Sequence, residues 1–248
     1  MRLDLATWQE VDAYLKNSGG IIIPTGSTEQ HGPMGLIGTD ALCAERIARG
    51  AGEAAGIYVA PTLAYTPAPF NMAFPGTISI SERLFEELVS EILTGLIQHG
   101  FALIYFLNGH GANIAPLKRA TEKINGAHFR IKSWWEFDAV NELRQKYYGD
   151  WEGMHATPSE IAITQSFQRI LPPGDAIDPP RKLTKKYIRE HSGDRHGPPD
   201  EHRIQFPDGR VGSHSALANA ENGTEMIEVA IRALADDYLN QLKLASEM

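Results

Sequence analysis

The segment at residues 101–107 constrains the fold most strongly, because it is apolar at every position (FALIYFL). A strand with one solvated face alternates apolar and polar residues, so an unbroken apolar run indicates a strand covered on both faces. Residues 20–24, 57–63 and 128–134 are also typical of strands. Helical patterns separate these runs. The sequence therefore predicts an α/β fold of three layers, α/β/α, with helices on both faces of a mostly parallel central sheet.

The helical segments are identified by apolar residues at a spacing of three to four. This spacing predicts helices over residues 40–55, 81–99, 113–125, 159–170 and 221–243. No composition break marks a boundary, so we expect one domain over residues 1–248. Residues 171–215 hold much of the Pro, Gly, His and charge, and we expect an irregular surface excursion, a lid or an oligomer arm there. Four histidines of this stretch are expected at the surface: His191, His196, His202 and His214.

Charge, hydropathy and cysteine content indicate which partners and which cellular location to expect. The net charge is −8 and no run of Lys or Arg forms a stripe, which argues against nucleic acid or an anionic membrane as a partner. No stretch approaches the roughly 20 apolar residues that span a bilayer. The chain has one cysteine, Cys43, and its first residues do not resemble a secretory signal. These features predict a cytoplasmic protein.

Metal-ligand side chains follow two of the predicted strands directly. Glu29 and His31 lie in the loop after residues 20–24, and His110 lies in the loop after residues 101–107. Both loops are expected at the same edge of the sheet, where α/β proteins bind ligands. Asp40 begins a predicted helix, where Thr39 can cap and the helix dipole favours an anion.

These four residues favour a catalytic metal site over a structural one. Two carboxylates and two imidazoles without thiolates suit zinc, manganese or iron(II). A carboxylate at Asp40 can bridge two cations, and a metal pair creates a nucleophile from water at neutral pH. The residues therefore predict a catalytic pair of divalent ions.

A third polar cluster, His155 to Glu160 (HATPSE), precedes the helix predicted from residue 159. Glu160 either completes a metal shell or caps its own helix. His155 acts as a general acid or base, or makes a structural hydrogen bond.

A turn, two tryptophans and two asparagines are expected to surround the site. Residues 74–79 (FPGTIS) are expected to form a turn that lines the opening of the metal site. Trp134 and Trp135 can cover a substrate, or one of them packs in the core. Asn108 and Asn113 are expected to fix their loop.

Five motifs, taken together and in order, resemble the creatininase (creatinine amidohydrolase) family. They are GSTEQHGP, GTDA, FPGTIS, NGHGAN and HATPSE, within residues 21–160. The resemblance implies a Rossmann-like fold in a homo-oligomer, a hexamer, with a small-molecule amide as substrate. It also implies that Glu29, His31, Asp40 and His110 hold two metal ions, that Asp40 bridges them, and that a bridging water attacks the amide. His155 matches the proton-handling histidine of the family.

The chain departs from the family pattern in two of these motifs, NGHGAN and HATPSE. Creatininase carries a Tyr-Glu pair after the histidine of the second loop, with the Glu as a metal ligand, whereas this chain has Gly111 and Ala112. Glu160 is the expected replacement ligand, and His155 and Glu160 are the expected catalytic residues. Thr157 stands where many relatives have glycine.

The expected activity is metal-dependent hydrolysis of a C–N bond in a small cyclic amide. The expected cofactor is two divalent ions per chain, with zinc ahead of manganese or iron. The alternatives are a formamide deformylase or peptidase of the same family, or a catalytically silent homologue that kept the fold.

Overall fold

The computed structural model describes residues 1–246, which form a parallel sheet surrounded by helices. Its four strands, all parallel, stand in the order β2-β1-β3-β4. They are β1 (Gly20–Thr25), β2 (Tyr58–Val59), β3 (Leu103–Asn108) and β4 (His128–Ser133). The predicted α/β fold with a parallel central sheet is confirmed.

Nine α-helices are present within residues 1–246. They are α1 (Trp8–Leu15), α2 (Thr39–Ala55), α3 (Glu82–Gln98), α4 (Ile114–Thr121), α5 (Asp138–Tyr147), α6 (Pro158–Gln165), α7 (Lys185–Glu190), α8 (Pro199–Gln205) and α9 (Ala220–Ser246). None of these helices is long and apolar enough to cross a membrane.

The two faces of the sheet bury two separate apolar clusters. Along β1, Ile22 faces the cluster formed with α2, α5, α6 and α9, whereas Ile21 and Ile23 face the cluster formed with α3 and α4. Along β3, Tyr105 and Phe106 divide in the same way. Successive side chains of a strand point to opposite faces, so a run that is apolar throughout fills both clusters. The predicted three layers follow directly from this pattern.

Several boundaries differ from the sequence prediction. The second strand ends at Val59, two residues before Pro61, although the Ala60 amide still donates to the Ile22 carbonyl of β1 at 2.9 Å. The predicted cap at Thr39 is wrong: Gly38 precedes α2, and the Thr39 hydroxyl donates to the Leu36 carbonyl at 2.7 Å. Helix α6 begins after Thr157, whose hydroxyl accepts from the Glu160 amide.

The stretch at residues 171–215 is more ordered than expected. It holds helices α7 and α8, and it packs against the loop after β2 through His202 and Phe70. The expectation of surface histidines is wrong for two of the four, since the side chain of His196 is fully buried and His202 is 2% exposed.

Candidate metal centre

The predicted ligand loops meet because β1 and β3 are neighbours. Thr25 at the end of β1 pairs with Asn108 at the end of β3. The loop after β3 runs so close to the first turn of α2 that a Cβ on Gly109 would lie 2.3 Å from the carbonyl oxygen of Asp40. This close approach brings Asp40 against His110.

Asp40 stands at the centre of the cluster, with one carboxylate oxygen toward each predicted imidazole. Its Oδ1 lies 2.8 Å from Nε2 of His31, and its Oδ2 lies 2.9 Å from Nδ1 of His110. Glu29 Oε1 lies 3.1 Å from the same His110 nitrogen. Glu160 Oε1 lies 3.9 Å from the His31 nitrogen. All five side chains are buried.

These five residues form two groups of three that share Asp40. Glu29, Asp40 and His110 make one group, and His31, Asp40 and Glu160 make the other. Within each group the ligand atoms lie within 4.8 Å of one another. The structure therefore brings together every residue that the sequence nominated as a metal ligand.

Backbone carbonyls fix the ring orientation of both histidines. His31 Nδ1 donates to the Glu29 carbonyl at 3.1 Å, and His110 Nε2 donates to the Pro67 carbonyl at 2.8 Å. A carbonyl oxygen can only accept, so these nitrogens carry hydrogen. The opposite nitrogens thus turn their lone pairs toward Asp40 once the rings are neutral. Histidine ligands of metal sites are held in this way.

The carboxylates of Glu29 and Asp40 each accept a hydrogen bond from a neighbouring polar side chain. Asn71 Nδ2 donates to Glu29 Oε2 at 2.9 Å, and the Ser27 hydroxyl donates to Asp40 Oδ2 at 2.8 Å. Glu29 Oε1 is fully buried, and among residues 1–246 its close polar neighbours are two ring nitrogens, His110 Nδ1 at 3.1 Å and His155 Nδ1 at 3.7 Å. When both rings are neutral with hydrogen on Nε2, this oxygen has no donor. A buried carboxylate oxygen without a donor is costly, and a cation satisfies it. The donor set therefore fits a divalent metal ion.

The pKa values of the two histidines reflect the excess of carboxylates around them. Burial lowers the pKa of His31, but the carboxylates of Asp40, Glu160 and Glu29 more than offset burial and raise it to about 10. The pKa of His110 also lies well above its ordinary value, because Glu29 and Asp40 outweigh burial. In the metal-free chain, protons occupy the nitrogens that face Asp40. A cation would replace them.

Glu160 combines the two roles that the sequence left open. The Thr157 amide donates to its Oε1, which completes a capping box at the start of α6. The same oxygen faces His31 and Asp40. Burial raises the pKa of Glu160 to about 8.

His155 lies beside the two groups with one ring nitrogen available. Its Nε2 donates to the Gln30 carbonyl at 2.7 Å, and its Nδ1 lies 3.7 Å from Glu29 Oε1. Burial and the neighbouring His31 lower the pKa of His155 to about 4, so the ring is neutral near pH 7. His155 also forms a third possible ligand group with Glu29 and His31.

A cavity of about 180 Å³ opens onto the cluster. Trp134 and Trp135 both line it; Trp134 is buried in the core and Trp135 is partly exposed. The expectation that residues 74–79 line this mouth is wrong. That segment braces the ligand loop instead, since the Thr77 hydroxyl accepts from the Gln30 amide at 3.1 Å.

The two asparagines stabilise their loops as expected. Asn108 Nδ2 donates to the His110 carbonyl at 2.7 Å, and Asn113 Nδ2 donates to the Gly26 carbonyl at 2.9 Å.

Sequence reasoning missed two residues at the site. Asn71 orients Glu29 from a short 3-10 turn that carries no metal motif. Asp194, in the excursion, lines the cavity with its Oδ2 3.7 Å from His110 Nδ1. The one available signal for Asp194 was the small pair Gly111 and Ala112, which leaves space beside His110.

Comparisons with known proteins agree with this geometry. The family model for creatininase, described as creatinine amidohydrolase, matches residues 4–237. The 3-dehydro-scyllo-inosose hydrolase of Thermotoga maritima is 26% identical over 95% of this chain and 80% of its own length. The mycofactocin precursor peptide peptidase of Mycolicibacterium smegmatis is 35% identical, but the match covers only 40% of this chain and 42% of the peptidase.

Solved structures share the fold. A crystal structure of creatinine amidohydrolase (creatininase) superposes with a TM-score of 0.80 at 21% identity, covering 97% of each chain. A structure titled as the manganese form of creatininase gives a TM-score of 0.76, also at 21% identity, over 97% of this chain and 98% of the other. Since the family model spans nearly the whole sequence, the chain belongs to the creatininase family of amidohydrolases.

Proposed function

We propose that this chain hydrolyses a C–N bond of a small amide, using water activated at two divalent cations. Glu29, Asp40 and His110 would hold one cation, and His31, Asp40 and Glu160 the other. The observation that carries the proposal is the position of Asp40, whose two oxygens face two different imidazole nitrogens at 2.8 and 2.9 Å.

The third possible group competes with this arrangement. A cation held by Glu29, His31 and His155 would take one ligand from each of the other two groups. The pair of groups that share Asp40 uses all five residues, and it leaves His155 for proton transfer. We therefore favour the shared arrangement.

The chemistry divides between the cations and the side chains. When bound, two divalent cations lower the pKa of water and polarise the amide carbonyl. His155 is neutral and can accept the proton of the attacking water at Nδ1. As the water oxygen bonds to the carbonyl carbon, the C–N bond breaks, and His155 returns the proton to the leaving nitrogen. The products are a carboxylic acid and an amine.

The size of the cavity supports a small substrate. At about 180 Å³ it is smaller than the pockets that bind drug-sized ligands. A second candidate substrate is a small cyclic ketone of the inosose type, which is favoured by the match to the Thermotoga hydrolase over 95% of this chain. Such a ring has no C–N bond, so water would add to a carbonyl carbon, the adjacent C–C bond would break, and the proton would pass to the leaving carbon.

Zinc and manganese suit the proposed donor set of two imidazoles and three carboxylates. The solved structures of creatininase include a Zn-Zn form of a mutant and a manganese form. The single domain, the homo-oligomer, the hexamer and the cytoplasmic location stay predictions.

Metal analysis tests the ligand assignment. Asp40→Asn should lose both ions, Glu160→Gln should lose one, and His155→Gln should keep both while losing turnover. Glu86→Gln is the control, because Glu86 pairs with Arg119 and Lys123 on another part of the surface. Two bound ions per chain in Asp40→Asn, measured by elemental analysis after dialysis, would refute the assignment.

Substrate assays separate the candidate activities. The metal-loaded protein should be tested on creatinine, formamides, short peptides and an inosose. Turnover of peptides alone would favour the peptidase alternative. Binding of two metals without turnover of any of these compounds would favour the silent homologue.

A further inference from the structure

The excursion at residues 171–215 places a carboxylate at the metal centre. Asp194 lines the cavity together with His110, and its side chain is 11% exposed. Its Oδ2 lies 3.7 Å from His110 Nδ1, the nitrogen that also faces Glu29 and Asp40. The excursion therefore forms part of the wall of the site.

The loop after β3 is shaped to receive this carboxylate. The Ala112 amide donates to Asp194 Oδ2 at 3.0 Å. A Cβ on Gly111 would lie 2.4 Å from the same oxygen, so only glycine leaves room for it. Asp194 itself has a φ of +54°, a left-handed conformation that Asp and Asn adopt more readily than other non-glycine residues.

Asp194 is not neutralised by a permanent cation. Within residues 1–246 its ion-pair partners are two imidazoles, His110 and His196. His196 Nε2 lies 3.8 Å from Asp194 Oδ1, and neither ring nitrogen of this buried histidine has a hydrogen-bond partner in the described part of the chain. A largely buried carboxylate with so few partners has room for a further donor.

Asp194 does not belong to the ligand groups themselves. Within residues 1–246, the sets of ligand atoms that lie within 4.8 Å of one another do not include it. Its carboxylate instead faces the cavity beside the group of Glu29, Asp40 and His110. A molecule bound there would meet Asp194 as a hydrogen-bond acceptor.

We propose that Asp194 contacts the substrate, accepts a hydrogen bond from its N–H group, and selects neutral or cationic substrates with N–H donors over anions. This inference rests on the proposed function, because it assumes that the substrate binds at the metal centre. It narrows the substrate class to amides and related compounds that carry an N–H beside the reacting carbon.

Two small probes of opposite charge test the proposal on the cobalt(II)-loaded protein. Azide is an anion, and acetamidinium is a planar cation with paired N–H donors. Asp194→Asn keeps an oxygen for the Ala112 amide and tolerates the left-handed backbone. It should bind azide at least about fivefold more tightly and acetamidinium at least about fivefold more weakly, because one nearby negative charge is removed. The cobalt spectrum and competition titrations report both affinities without turnover.

Two further variants complete the experiment. Gly111→Ala should change both affinities in the same directions, because its Cβ displaces the Asp194 carboxylate. Asp175→Asn removes an exposed carboxylate of the same excursion and should change neither. The proposal would be overturned if Asp194→Asn bound azide with the wild-type affinity and also bound acetamidinium with the wild-type affinity. If wild type binds no cobalt, the proposed function itself fails.

Discussion

Gly109→Ala should dismantle the metal centre while leaving the fold intact. The added Cβ would lie 2.3 Å from the Asp40 carbonyl oxygen, whereas ordinary contacts begin at 3.4 Å. The end of β3 and the first turn of α2 must therefore separate by about 1 Å. Metal-ligand distances tolerate about 0.2 Å, and a misplacement of about 1 Å can cost roughly 100-fold in rate.

The expected result is loss of bound metal and at least about a 100-fold fall in activity. Overpacking at this point should lower the free energy of unfolding by only about 1–3 kcal/mol, so the variant should fold. Elemental analysis after dialysis gives the metal content, and thermal unfolding gives the stability.

Gly95→Ala is the matched control for this change. Gly95 lies in α3, and a Cβ there would meet no atom of the described residues within 4 Å beyond its chain neighbours and the backbone of its own helix. Alanine should stabilise that helix by roughly 1 kcal/mol and leave metal binding unchanged. If Gly109→Ala bound two metal ions with wild-type affinity, the close approach would not position Asp40, and the reasoning would be refuted.

Two further predictions concern protons. Since the pKa of His31 is about 10, that of Glu160 about 8 and that of His110 well above its ordinary value, all three groups carry protons in the metal-free chain at pH 7. Binding of two metal ions should therefore release about three protons per chain, and metal affinity should fall as pH falls. Calorimetry in buffers of different ionisation enthalpy counts the released protons. Metal binding without proton release would contradict the ligand assignment. Away from the ligands, the pKa of His196 is lowered by burial and nearby histidines to about 3, and that of His202 by burial to about 4. The unfolded chain protonates both histidines below about pH 6.5, whereas the folded chain keeps them neutral. The free energy of unfolding should therefore fall as pH drops from 6.5 toward 4, by up to about 2.7 kcal/mol per pH unit for the two histidines together. Urea unfolding of His202→Phe should show a pH dependence smaller by about one proton, and an unchanged dependence would argue against a buried neutral His202.

The parts of the site that could be predicted from sequence are those that follow a strand directly. The unbroken apolar run of β3 indicates burial on both faces, and such a strand lies inside a parallel sheet. The loops with Glu29 and His110 begin where their strands end, so the sheet itself brings them together. Glu160 could be nominated because it lies in a recognisable motif.

The parts that could not be predicted depend on packing between distant segments. Asp194 reaches Ala112 across 82 residues, from a stretch whose Pro, Gly and charge content suggested a surface location. His202 is buried against Phe70, a contact that no local pattern contains. The Thr39 cap failed because its hydroxyl bonds backward to Leu36. Local composition does not determine which polar residues the tertiary fold encloses.

A crystal structure of the zinc-loaded protein, with anomalous maps on both sides of the zinc edge, tests the central claim most directly. We predict two zinc peaks, one on each side of the Asp40 carboxylate, with Glu29 and His110 on one ion and His31 and Glu160 on the other. A single peak among Glu29, His31 and His155, with Glu160 only capping α6, would contradict it.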